Sequence, residues 1–202
     1  MSALAFSIEE EAIFVAVDTL STDENGGIPI EVSKSLYQPH LGILFGVTGA
    51  LYMLDRLPSA IIRHGISRGD EFTVHASQIL QELWREYVEG FAESGLTTDL
   101  NRISTSVFQF GFSSATGQPE CFQYSSQDNF EPRPLSGSAH KPLCPAPVGV
   151  DGPNYFIALM DAQRQQEQGK PQSERTYIGG QIIMNVLQPG SCGAVKIHEF
   201  ES

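Results

Sequence analysis

Past residue 47 the apolar residues of this chain change their spacing, and that change restricts the fold to one mixing strands with helices. Before it, residues 3–8 form a short apolar-rich stretch. Glu9, Glu10 and Glu11 make a charged turn, and residues 12–17 are apolar and rich in β-branched side chains. This predicts a hairpin with a solvated tip. A polar loop over residues 21–27 follows, where Asn25, Gly26 and Gly27 tolerate positive φ. Residues 33–37 and 41–47 read as two more strands around a turn at Gln38, Pro39 and His40. Over residues 48–64, Leu51, Leu54, Leu57, Ile61 and Ile62 recur near helical spacing, with Pro58 placed to kink the helix or start a second segment. Residues 70–93 carry the broadest apolar face and predict the clearest helix, with Gly95 as its stop. Trp84 and Tyr87 lie on that face and read as core.

Residues 104–112, 120–124 and 130–135 read as strands. Residues 132–153 hold prolines at 132, 134, 142, 145, 147 and 153, and predict a long irregular connection. Residues 155–168 form an amphipathic helix pattern, and residues 177–187 and 194–200 are the last two strands. The order is strands, two helices, strands, one helix, two strands. Periodicity alone gives a mixed α and β chain in a single domain, residues 1–202, without internal repeats.

The formal charge of −12 argues against a nucleic-acid binder, because few cations are present to neutralise phosphates, and against docking on an anionic membrane. Cys121, Cys144 and Cys192 are far apart and odd in number, so no disulfide framework is expected. The start of the chain lacks the basic region of a signal peptide, and no apolar run is long enough to span a bilayer. A cytoplasmic location is the expectation. The five histidines show no ligand spacing, and His140 and Cys144 share a proline-rich loop, so neither metal nor cofactor is expected. No Gly-x-Ser-x-Gly elbow, Walker loop or dinucleotide fingerprint occurs.

Chemistry concentrates instead near the start. If Met1 is removed, Ser2 carries a free α-amine and a hydroxyl on one residue, a nucleophile with its own base. Asp18 ends the apolar run at residues 13–17, and Lys34 precedes the next strand; the spacings Ser2 to Asp18 and Asp18 to Lys34 are both sixteen residues. Other local patterns accompany these: Val17-Asp18-Thr19, the small-residue run Gly46-Val47-Thr48-Gly49-Ala50, Phe110-Gly111-Phe112, and Tyr177-Ile178-Gly179-Gly180 before a final apolar strand. Together they resemble the proteasome β-subunit family of N-terminal nucleophile hydrolases.

That resemblance implies an α+β fold, a four-layer αββα sandwich of two antiparallel sheets flanked by helices. It implies an N-terminal serine hydrolase cleaving peptide or amide bonds. Ser2 attacks and its amine moves the proton, Lys34 tunes the amine, Asp18 holds Lys34, and backbone N–H groups around Gly46, Thr48 and Gly49 bind the oxyanion. Ser136 or Ser138 would give support. The resemblance also implies self-assembly into an oligomer, often a ring, around a peptide substrate. Three departures leave a non-catalytic structural or assembly subunit open. A gapless count from Lys34 puts Thr48 where the family has its oxyanion glycine. Counting back from Gly179 puts Arg175 and Ile178 where active members carry an aspartate and a serine. The nucleophile is also serine rather than the family's threonine.

Overall fold

The computed structural model describes residues 3–22, 29–93 and 104–201. Strands β1 (Leu4–Ile8) and β2 (Ile13–Asp18) form the expected hairpin, because the three glutamates stay in water while both faces of the strands find apolar partners. A five-stranded antiparallel sheet has the order β10-β1-β2-β11-β12, with β10 at Ser138–Lys141, β11 at Gln181–Gln188 and β12 at Ser191–Glu199. A second five-stranded antiparallel sheet has the order β5-β6-β7-β8-β9. Its strands are β5 (Ser35–Gln38), β6 (Ile43–Thr48), β7 (Ser106–Phe112), β8 (Pro119–Ser125) and β9 (Arg133–Pro134). The short strands β3 (Leu20–Ser21) and β4 (Ile30–Glu31) pair as a third. Helices α1 (Tyr52–Arg63), α2 (Gly69–Glu93) and α3 (Pro153–Gln168) complete an α+β chain.

The period of two distributes side chains among three cores. Leu4, Phe6, Ile13, Val15 and Val17 from the first sheet share one core with Leu44, Phe108 and Phe110 from the second. On the other face of β1 and β2, the small residues Ala3, Ala5 and Ala16 meet Phe156, Leu159 and Met160 of α3. Ile43, Phe45 and Val47 alternate out of β6 to meet Leu57, Phe72, Ile79 and Leu83 of α1 and α2. Large residues thus fill the core shared by the sheets, and alanines line the face of β1 and β2 toward α3.

Several expectations are corrected. Residues 132–153 are not wholly irregular. Ser138–Lys141 pairs with β1 and enters the first sheet, its Ser-Ala-His-Lys sequence giving no apolar alternation to mark it. The strand foreseen at residues 130–135 shrinks to two residues. Pro58 lies inside α1, which continues through it. Residues 177–180 precede β11, and residues 46–48 lie in β6 rather than in a turn. Trp84 and Tyr87 pack against the core of α1 and α2, as expected. No described helix is long and apolar enough to cross a membrane.

Cys121 sits 4% exposed on β8, and burial raises its thiol from an ordinary 9.0 to about 11. Its native alkylation by iodoacetamide at pH 8 should therefore be negligible and should become rapid in urea, as peptide mapping would read. A raised thiol stabilises the fold in full below the ordinary value, and that contribution is lost as pH rises toward about 11, where the unfolded thiol ionises first. Cys121→Ala should accordingly flatten the fall of the urea midpoint with rising pH above 9.

Candidate functional site

Asp18 is the last residue of β2, and Lys34 immediately precedes β5; both side chains are fully buried. Lys34 is held by its own backbone, since the Val47 N–H donates to its carbonyl at 3.0 Å and extends the β5–β6 ladder. Its Nζ donates to Asp18 Oδ1 at 2.7 Å and to the Leu20 carbonyl. The backbone N–H of Ala3 donates to the same Oδ1 at 2.9 Å, and the Gly179 N–H donates to Oδ2 at 3.2 Å. Burial pushes the Asp18 carboxyl up from its ordinary value, opposed by the Lys34 charge and by these N–H groups. Burial also pulls Lys34 down, opposed by Asp18. A lysine lowered in this way gives up its proton more readily than a solvated one, and the Asp18 charge limits that loss.

The turn after β2 is fixed with equal care. Thr19 accepts from the Gln181 N–H at 2.8 Å, and the Leu20 N–H donates to the Gly179 carbonyl at 3.1 Å. Gly180 has φ +68° and lies so near Thr19 that a Cβ there would come within 2.5 Å of its hydroxyl. Glycine is needed at that close approach.

Of the expected site residues, Asp18 and Lys34 meet. Ser2 lies outside the described residues; Ala3, next in the chain, begins the described structure on Asp18. Thr48 ends β6, and Gly49 follows with φ +99°, crowded against Ser104 and Thr105. Gly46 sits mid-strand beneath Leu4. Ser138 donates to the Ser7 hydroxyl at 3.0 Å, toward the far end of β1, and Ser136 is exposed before it. Neither joins Asp18 and Lys34. The β1–β10 register instead places Lys141 opposite Leu4, a residue the sequence hid in a stretch read as irregular. Arg175 donates to the carbonyls of Gln168 and Lys170, and Ile178 is buried beside α3. The His140 ring contacts the Cys144 backbone at 3.0 and 3.2 Å.

The fold of two antiparallel five-stranded sheets and three helices, with a buried aspartate–lysine pair beside the start of β1, is shared with solved structures of Anbu proteins. The chain is similar to Anbu (ancestral beta-subunit) from Yersinia bercovieri, with a TM-score of 0.62 at 12% identity over 98% of this chain and 88% of that one. It is also similar to an Anbu (Gly-1) mutant from Hyphomicrobium sp. strain MC1, with a TM-score of 0.60 at 12% identity over 98% and 89%. No family model and no curated protein sequence matches. These findings correct the resemblance drawn from the sequence. Membership of the proteasome β-subunit family does not stand, and what is shared is a fold, with Anbu proteins. At 12% identity the likeness extends to the fold alone.

Proposed function

We propose that the chain is an N-terminal serine hydrolase of peptide or amide bonds, with Ser2 as nucleophile after removal of Met1. The observation that carries this reading is the fully buried Lys34–Asp18 pair, 2.7 Å apart, with the Ala3 N–H on the same carboxylate. A buried charge pair is costly to build, and a core of similar volume is often at least as stable without one. Lys34 stabilises a neutral α-amine on Ser2 by its charge, and that amine takes the hydroxyl proton as the hydroxyl attacks. Asp18 holds Lys34 and the first described peptide in register. A backbone N–H in residues 46–49 takes the oxyanion, the α-ammonium passes its proton to the departing amine as the C–N bond breaks, and water then hydrolyses the acyl ester to free Ser2. Ser136 and Ser138 have no step in this scheme. The three cores support stacking as a four-layer αββα sandwich, and the likeness to an Anbu beta-subunit supports assembly into an oligomer.

A second reading, a non-catalytic assembly subunit, is favoured by Arg175 and Ile178, whose side chains are absorbed in loop and core contacts. Intact mass spectrometry separates the two. Loss of Met1, and a single adduct from an electrophile that acylates N-terminal hydroxyls, absent in Ser2→Ala, is the expected result. A free Ser2 that takes no adduct would leave the assembly reading.

A further inference from the structure

A cavity of about 360 Å³, within the range of small-ligand sites, is lined by Thr48, Gly49, Lys141, Pro142, Leu143 and Thr176 among others. Three of its walls connect to the Asp18–Lys34 pair through chain neighbours or strand pairing. Thr48 follows Val47, whose N–H is on the Lys34 carbonyl. Lys141 stands opposite Leu4, the residue after Ala3. Thr176 lies three residues before Gly179, whose N–H is on Asp18. The wall at Lys141, Pro142 and Leu143 is fixed from behind by α3. Gln163 donates to the Pro142 carbonyl at 2.6 Å and Gln166 to the Leu143 carbonyl at 2.9 Å.

The polar groups of the cavity differ in what they still need. Lys170 is balanced by Glu167 at 2.5 Å. Lys141 donates to the neutral Ser106 hydroxyl at 3.1 Å and, among the described residues, has no carboxylate partner. Burial lowers its affinity for the proton, which an incoming anion would restore. The Thr48 hydroxyl is buried and has no hydrogen-bond partner among the described residues. An ammonium lacking a counterion and an unengaged hydroxyl, on walls that also present Pro142 and Leu143, suit a carboxylate on a short apolar stem. The chain's formal charge of −12 repels carboxylates at long range, so selectivity for one here has to come from the cavity itself.

We infer that this cavity is a carboxylate-binding subsite, in which Lys141 and Thr48 hold the carboxylate of a peptide bound across the Asp18–Lys34 centre. The inference rests on the hydrolase reading for its substrate class, yet binding can be measured without turnover. The carboxylate comes either from a glutamate side chain or from a peptide C-terminus. The experiment titrates Ser2→Ala protein with Ac-Ala-Ala-Glu-NH2, Ac-Ala-Ala-Gln-NH2 and Ac-Ala-Ala-Ala-OH, followed by amide shifts in NMR spectra. Binding of at least one carboxylate peptide about tenfold tighter than the glutamine peptide is expected, the size of one charge-assisted hydrogen bond. The glutamate and free-acid arms identify the source.

Lys141→Met should erase the preference and Lys141→Arg should keep most of it. Leu143→Glu, a change at an exposed position on the cavity wall, should weaken binding of the carboxylate peptides more than binding of the glutamine peptide. Equal binding of all three peptides, no binding of any, or a preference that survives both Lys141→Met and Leu143→Glu would overturn the assignment. A preference that behaves as expected in a protein whose Ser2 takes no adduct would keep the subsite and discard the hydrolase reading. Adduct formation without any carboxylate preference would do the reverse.

Discussion

Lys34→Met should lower the melting temperature by about 6–20 °C, the largest loss expected from any single substitution near the candidate site. The change removes one partner of a pair in which both side chains have no solvent contact, and Asp18 is left as a buried carboxylate with only the Ala3 and Gly179 N–H groups. Breaking such a pair from one side typically costs about 3–5 kcal/mol. Neutralising the other side should return much of it, so Asp18→Asn with Lys34→Met should melt well above Lys34→Met alone. The amide keeps an oxygen for one of the two N–H donors and carries no charge. The pH dependence has a definite sign. Burial already raises Asp18, and without Lys34 it rises further. A raised carboxyl stabilises the fold below its ordinary value and loses that contribution as pH increases. Lys34→Met should therefore be less damaging near pH 5 than at pH 8. A variant that melts like the parent at both pH values would mean that the two charges are not interdependent. Urea titrations at the two pH values give the comparison.

Phe110→Ala should cost about 3–5 kcal/mol in urea unfolding. Phe110 has no solvent exposure and lies in the core shared by the two large sheets, its ring 5.3 Å from Phe6 and 6.3 Å from Phe108. Strand backbones cannot close over the space left by a missing ring without breaking ladders on both sides, so most of the cavity term should persist. The midpoint should fall with the slope unchanged. Val195→Ala, on the exposed strand β12, should by contrast stay within about 0.5 kcal/mol of the parent. Similar losses at the two positions would argue against Phe110 being enclosed by both sheets.

What the sequence disclosed depended on how each segment buries its side chains. The β1–β2 hairpin was readable because its strands are apolar and its three glutamates are not. Helix α2 was readable because one broad face carries Phe72, Ile79, Leu80 and Leu83. Strand β10 was not, since Ser138, Ala139, His140 and Lys141 are held by backbone pairing to β1 rather than by apolar burial, and pattern reading detects only the latter. With β10 hidden, Lys141 was hidden too, and Ser138 was offered in a supporting role that its pairing with Ser7 does not suit. Asp18 and Lys34 could be singled out because a charge at the edge of an apolar run stands out. The Gly179 N–H could not, because a backbone donor leaves no mark in a sequence.

The Asp18 carboxylate collects its partners from across the whole chain, with Ala3 fifteen residues before it, Lys34 sixteen after and Gly179 161 after. On a ribosome, the first two partners emerge close to Asp18, while the third, 161 residues later, and the neighbouring strand β11 emerge long after them. Until then the hairpin of β1 and β2 has an open edge where β11 will pair, and the carboxylate lacks one of its two backbone donors. Completion of this centre therefore coincides with closure of the first sheet, so an unfinished or truncated chain carries the residues of the site without its geometry.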